Sequence, residues 1–435
     1  MVEIRPFKGI VYDWDKLEDV GPALAPPYDV INPDQQEALY QSHPHNVVRL
    51  ILGKQSAEDS DSDNRYTRAA RDLADWMEQG ILRPYPEPAL YIYSQEYKIE
   101  GARLNRTGFI CRLKLEDYDQ GKVFPHERTL SGPKTDRLNL TRACKTNFSQ
   151  IFGLYEDPQL TLDALFEEAT KNTNPAVEAE QDGVIHRMWP VTDKAIIEKV
   201  QTFMADKDMV IADGHHRYET ALNYRNERRE QAGGASGDYD YGLVFLSNTN
   251  GQGFTVLPTH RFVLKTEKSA EEALATLAGN FEISEERQVT EDSVANFMAE
   301  LKSAGEQTVA FGMYTGGGAM RLLRMKKDAQ PPSPPGGEKI EALRWLDVTI
   351  LQELILSRAL DITREKVEAG GHIYYTIHAD LAMRKVDEGA AKMAFLMNPT
   401  GIGQVMDVAR GGGTMPQKST YFYPKLISGL VFNPL

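Results

Sequence analysis

The spacing of apolar residues changes several times along this chain, and each change marks an element. Leu90 to Ile99 alternates with period two, Glu100-Gly101 gives a turn signal, and Leu104 to Leu115 alternates again, which predicts a β-hairpin. Arg65 to Gln79 instead sets Tyr66, Ala69, Ala70, Leu73, Ala74 and Met77 at helical spacing, with Gly80 as the stop. Lys194 to Met204 does the same through Ile196, Ile197, Val200 and Phe203. By the same reasoning Ile4 to Tyr12, Asn46 to Leu52, Phe148 to Tyr155, Val184 to Val191 and Tyr241 to Leu246 are strands, and 33–42 and 160–171 are helices. Thr255 to Leu264 is a further strand, broken by Pro258.

The texture changes from Glu267 onward. A helix, a strand at 281–284, a helix at 293–303 and strands at 308–313 and 320–325 predict a separate α/β domain with its boundary near residue 266. Gln330 to Gly337, rich in proline and glycine, reads as an exposed loop. Ile340 to Leu360 is apolar around much of its circumference, which predicts a long helix buried between layers or at a subunit contact; a homodimer is therefore a candidate assembly. Tyr374 to Ile377 and Met393 to Met397 are strands around a helical segment. The expectation is a mixed α/β chain with an N-terminal region over 1–265 and a C-terminal region over 266–435, the latter carrying the 330–337 loop and a glycine-rich loop at 411–420.

Length and charge narrow the classes. At 435 residues, two or three domains are expected. A net charge of -14 with no long Lys/Arg run argues against a general nucleic-acid binder, which needs a basic face. Cys111 and Cys144 form no CxxC pair and suit free thiols in a reducing compartment. The opening residues lack the apolar stretch of a signal peptide, and no apolar run approaches bilayer length, so a cytoplasmic protein with no membrane partner is expected.

The chemistry concentrates at Val210 to Leu222. Three apolar residues, then Asp213-Gly214-His215-His216-Arg217, then Tyr218, Ala221, Leu222 and Arg225 at helical spacing predict strand, tight turn and helix. A helix opening there presents amides and the positive end of its dipole, which suits an anion. Arg217 can hold two phosphate oxygens at once, and Asp213 can hold a divalent cation or accept a proton. Alternatively Asp213 caps the helix and the histidines are packing residues.

A second polar stretch, His126-Glu127-Arg128-Thr129-Leu130-Ser131-Gly132-Pro133-Lys134-Thr135-Asp136-Arg137, offers a base in His126 or Glu127 and two cations, Lys134 and Arg137, near another helix start. A solvated charged loop has the same composition. His260 and Arg261 can reach the pocket of Arg217 or belong to an edge strand. Lys418, Ser419 and Thr420, after Gly411-Gly412-Gly413, can close over phosphates or follow a glycine hinge; the stretch is not a Walker loop. Tyr28 and Asp29, in the proline-stiffened Ala25-Pro26-Pro27-Tyr28-Asp29-Val30, line a pocket or close a turn. A metal site built from His126, His215, His216 and Asp213 lacks the i, i+4 histidine spacing that puts two ligands on one helix face.

The Asp213 to Arg217 turn resembles the phosphate-binding turn of the ParB and sulfiredoxin superfamily, and within it the Asp-Gly-His-His-Arg turn of free-serine kinases. Over nearly its full length the chain is identified as a member of the family known as domain of unknown function 1015, on that turn and on Ala25 to Val30, Ser131 to Arg137, Leu257 to Arg261 and Met415 to Lys425. The resemblance implies a ParB/sulfiredoxin-like nucleotide-binding core with an additional α/β domain. It also implies ATP or ADP with Mg2+ as cofactor and phosphoryl transfer to a small hydroxylated metabolite. Catalysis would fall to Asp213, Glu127 and His126, with Asp213 also the metal ligand. Phosphate would be held by Gly214, His215, His216, Arg217, Lys134, Arg137, His260, Arg261, Lys418, Ser419 and Thr420. A nucleotide-gated switch of ParB-like type without DNA binding is the alternative, whereas His215 stands where sulfiredoxin chemistry needs a cysteine.

Overall fold

A computed structural model describes residues 2–127, 131–290, 292–334 and 340–435. Arg128, Thr129 and Leu130 of the second polar stretch and Pro335, Gly336 and Gly337 of the proline-rich loop lie outside the described residues. The chain divides into two compact units of mixed α/β structure. One takes in residues up to 125, 131–254 and 424–435; the other takes in His126, Glu127 and 255–423.

The first unit is built on a nine-stranded sheet: β1 (Ile4–Arg5), β2 (Leu90–Ile99), β3 (Ala102–Lys114), β4 (Val123–Phe124), β5 (Ile151–Tyr155), β6 (Val177–Gln181), β7 (Val184–Val191), β8 (Met209–Asp213) and β9 (Tyr241–Asn248). Their order is β4-β8-β5-β9-β3-β2-β7-β6, with β1 beside β3. β4 runs parallel to β8 and β5 to β9; the other neighbours are antiparallel. The expected hairpin is β2–β3, closed by Glu100 and Gly101 with φ of 49° and 82°, the left-handed pair that a two-residue turn requires.

Alternation then divides the sheet's residues between two faces. Leu90 and Ile92 with Phe109, Cys111 and Leu113 join a core with Phe166 of α5 (Thr161–Thr170) and Ile197, Val200 and Met204 of α6 (Lys194–Met204). On the other face Gln95 donates to the Lys425 carbonyl at 2.9 Å, and Arg106 donates to that of Pro424. The closing segment 424–435 is thereby held against the sheet, and Leu426 to Asn433 are buried.

Along the chain α5 and α6 are preceded by α1 (Pro33–Ser42), α2 (Val48–Ile51), α3 (Arg65–Glu78) and α4 (Ser131–Cys144), and followed by α7 (His215–Gln231). The strand expected over 46–52 is the short helix α2 instead. Asn46 causes the difference: its Oδ1 accepts from Val48 N at 2.8 Å while its Nδ2 donates to the carbonyls of Pro22 and Leu24, so the side chain caps a turn that the apolar run fills.

The second unit has a seven-stranded antiparallel sheet: β10 (His260–Val263), β11 (Phe281–Ile283), β12 (Arg287–Gln288), β13 (Ala310–Tyr314), β14 (Ala319–Met325), β15 (Ile373–Thr376) and β16 (Met393–Met397). Its order is β11-β14-β13-β16-β10-β15, with β12 beside β14. Pro258 breaks the 255–264 run as expected, and the two pieces join different sheets, since Thr255–Leu257 pairs with Tyr421–Tyr423.

The long helix expected over 340–360 is three pieces, Glu341–Arg344, Asp347–Ile350 and Leu351–Ala359, the last in wider i→i+5 turns. Arg344 reaches the Pro331 and Pro332 carbonyls, so the first piece ends in contacts with the preceding loop, while Trp345 folds back to donate to Glu341 one turn earlier. Among the described residues no helix is long and apolar enough to cross a membrane.

Candidate functional site

β8 delivers Asp213 to the end of its strand through a register shift between Ile211 and Asp213. Such a bulge re-aims a side chain. Gly214 follows with φ 92°, and α7 opens at His215. A Cβ on Gly214 would stand 2.9 Å from Arg217 Nε, so glycine is needed here for the turn and for the guanidinium that lies across it. Arg217 donates through Nη2 to Asp213 Oδ1 at 3.2 Å and through Nη1 to the Gln150 carbonyl. It is thus held in place at both ends of its fork.

Asp213 has a second cation. Lys425 Nζ meets its Oδ2 at 2.6 Å, and the two side chains are only 20% and 19% exposed. Burial would raise the Asp213 carboxyl, but Lys425 and Arg217 outweigh it and hold the group well below the usual carboxylate range. His215, buried, adds to the same field. Arg106 lies 1% exposed with its guanidinium on Gln95 Oε1 and over the Phe152 ring at 4.7 Å; burial pushes it down to about 10 while Asp213 works the other way. Three cationic side chains therefore act on one carboxylate, and the surplus is positive.

Arg217 also lines a cleft with Tyr28, Arg137, Thr141, Ser149 and Thr220. Arg137 is fixed by Asp136 and by the Ile51 carbonyl at 2.7 Å, and its guanidinium lies 3.9 Å from the centre of the Tyr28 ring. Asp136 is itself bound by Arg65 and by Tyr66 at 2.8 Å. The cavity of about 50 Å³ is several times what one water needs. Lys134 is tied to Glu219 at 2.9 Å, which joins α4 to α7, and His216 is half-buried at the start of α7.

The remaining residues singled out from sequence belong to the second unit and gather there. His126, fully buried, meets Thr420 Oγ1 through Nε2 at 3.0 Å, and Glu127 Oε1 accepts from Ser419 N at 3.1 Å. Arg261 donates to the Lys418 carbonyl at 3.0 Å and to that of Thr259; burial pushes it down to about 10. Lys418 holds a left-handed φ of 58° with its side chain exposed. His260 Nδ1 accepts from Met397 N at 3.0 Å, and burial with the Arg261 charge pushes it down to about 3, so it is a neutral packing residue.

Lys425, Arg106 and Gln150 were not singled out from sequence. Lys425 lay inside the Met415 to Lys425 stretch, and the lysine itself was the signal. Asp213 does not fit a metal ion as it stands, because Oδ1 and Oδ2 each accept from a cation. Among the described residues no group of three or more His, Cys, Asp or Glu side chains is arranged to hold one.

Comparison with known proteins places residues 4–349 in the family described as protein of unknown function (DUF1015). No curated protein matches the chain. Among solved structures, a conserved hypothetical protein from Pyrococcus furiosus aligns at 11% identity and TM-score 0.32, covering 73% of this chain and 92% of that one. A free serine kinase in complex with AMP aligns at 12% and 0.34, covering 72% and 86%. SbnI with C-terminal truncation, from Staphylococcus aureus, aligns at 10% and 0.34, covering 74% and 86%.

Proposed function

For this chain, which belongs to the DUF1015 family, we propose that the cleft of Tyr28, Arg137 and Arg217 holds a phosphate of a nucleotide, and that the protein is a nucleotide-dependent phosphotransferase acting on a small hydroxylated metabolite. One observation carries the binding half. Three stretches far apart in sequence, Ala25 to Val30, Ser131 to Arg137 and Asp213 to Arg217, meet at one cavity and bring two guanidiniums to its wall. Each guanidinium is already held by other groups, so little side-chain freedom is lost when an anion arrives. The helix start of α7 adds the positive end of its dipole.

Phosphoryl transfer is supported by the likeness of the Asp-Gly-His-His-Arg turn to that of free-serine kinases. Catalysis of this kind is mostly positioning and charge stabilisation. Asp213 serves it as an anchor for Arg217 and Lys425; held well below the usual range, it is a weak proton acceptor at neutral pH. The base and sugar of the nucleotide lie outside the cavity.

The test is thermal unfolding with ATP, ADP, CTP and GTP, with and without magnesium, because a ligand bound to the native state raises its stability by mass action. A rise with ATP or ADP is expected, and Arg217→Ala should weaken that binding at least tenfold while leaving the fold intact. Equal affinity in variant and parent, or no rise with any nucleotide, overturns the assignment. Screening of hydroxylated acceptors, serine first, then tests transfer.

A further inference from the structure

The first unit has a second and larger cavity, of about 470 Å³, within the range of small-molecule sites. Its chemistry is opposite to that of the phosphate cleft. Asp163 and Glu167 face it from α5, one helical turn apart, and none of its lining residues is cationic. Among the described residues neither carboxylate has an ion-pair partner; Asp163 accepts from Asn248 Nδ2 at 2.8 Å and from its own backbone amide.

The floor explains what the cavity is for. On β2 and β3 the core pair Ile92 and Phe109 is followed on the same face by the pair Ser94 and Thr107, so an apolar surface turns polar where the cavity begins. Ser94 is only 5% exposed, lines the cavity, and has no hydrogen-bond partner for its hydroxyl among the described residues. A hydroxyl that faces a cavity in this way is met by water or by a polar group of whatever the cavity holds. Trp189, opposite Ile92 on β7, supplies an aromatic wall. Leu160 supplies an apolar rim in a left-handed conformation, φ 55°, that a bulky residue rarely adopts.

We infer that this cavity binds a small organic amine, its ammonium between Asp163 and Glu167 and the Ser94 hydroxyl, its carbon chain along Trp189 and Leu160. Carboxylates and a π-face both favour a cation, and the apolar wall favours one with an alkyl body over a hydrated metal ion. Burial raises the Asp163 carboxyl above its ordinary range, Asn248 opposes this, and Asp157 adds to it; an ammonium in the cavity would reverse the shift.

The experiment is calorimetric titration of the full chain with putrescine, spermidine and magnesium chloride at moderate salt. Saturable binding of one amine is expected, weakened at least tenfold by Glu167→Gln and several-fold by Ser94→Ala, with no effect from Glu168→Gln on the same helix. Asp163→Asn should act like Glu167→Gln, and the exposed Glu167 keeps the test open should Asp163→Asn misfold. Absence of amine binding, amine binding equal in Glu167→Gln and parent, or saturable magnesium binding without amine binding overturns the inference. Nucleotide binding is read separately, so failure here leaves the phosphate cleft untouched.

Discussion

Lys425 reaches Asp213 at 2.6 Å although 212 residues separate them in the chain. The contact joins the closing segment to the strand end that carries the turn. It also fixes the charge of Asp213, because Lys425 is the strongest of the influences that oppose burial there. Lys425→Met should therefore destabilise the first unit by about 2 kcal/mol, the scale of losing a hydrogen bond to a charged group while Arg217 still pairs the carboxylate. The sign of the pH effect follows from linkage. A carboxyl depressed in the folded state contributes stability above the unfolded pKa of about 3.9, lost as pH falls further. Urea unfolding should show that acid loss in the parent and less of it in Lys425→Met; equal acid slopes would sink the idea.

Gly214→Ala tests the turn itself. The backbone there is left-handed and the added Cβ would meet the Arg217 guanidinium, so strain of about 1–2 kcal/mol is expected together with displacement of that side chain. The variant should lose nucleotide affinity as Arg217→Ala does, yet also unfold at lower urea. Loss of stability without any change in affinity would show that Arg217 does not depend on Gly214 for its position.

What sequence reveals divides along local and distant lines. Strand β8, the Gly214 turn and α7 were legible because a run of apolar residues, a glycine and helical spacing follow one another directly from Met209 to Gln231. The β2–β3 hairpin was legible for the same reason. Arg217 and Arg137 were named from sequence, and the structure sets both on one cleft. Lys425 stood only as the end of the Met415 to Lys425 stretch and was given no role, because nothing in a local pattern records a partner across the chain. Asn46 misled in a subtler way: an apolar run of Val47 to Leu52 fits a strand or a short helix, and only the side-chain cap decides. At 340–360 the apolar pattern was continuous, but Arg344, which turns to the Pro331 and Pro332 carbonyls, interrupts it.

The two buried histidines should give both units the same acid sensitivity. Burial pushes His186 and His260 down to about 3, with Arg106 and Arg261 respectively adding to it. The unfolded chain binds these protons near pH 6.5 and the folded chain does not, so stability is lost as pH falls from about 6.5 toward 3. At about pH 4.5 each histidine should account for a loss of about 2–3 kcal/mol. His260→Asn should flatten that slope in the second unit, and His186→Asn in the first. Hydrogen exchange resolved by segment can read the two separately, and unchanged slopes would show that the imidazoles are not what titrates.

Asp347 carries the opposite sign. It opens the Asp347–Ile350 helix, where burial pushes its carboxyl up to about 7 against its own backbone amide and the Arg261 charge. The folded chain therefore holds a proton that the unfolded chain has released above about pH 4. Stability of the second unit falls as pH rises from there to about 7, and the full cost is present above it. Asp347→Asn removes the ionisation while keeping the shape. It should leave stability unchanged near pH 4 and raise it by up to about 4 kcal/mol at pH 8, given about 1.4 kcal/mol for each pKa unit. Urea unfolding at the two pH values distinguishes this from a packing effect, which would appear equally at both. An equal change at both would show that packing, not the ionisation of Asp347, sets the effect.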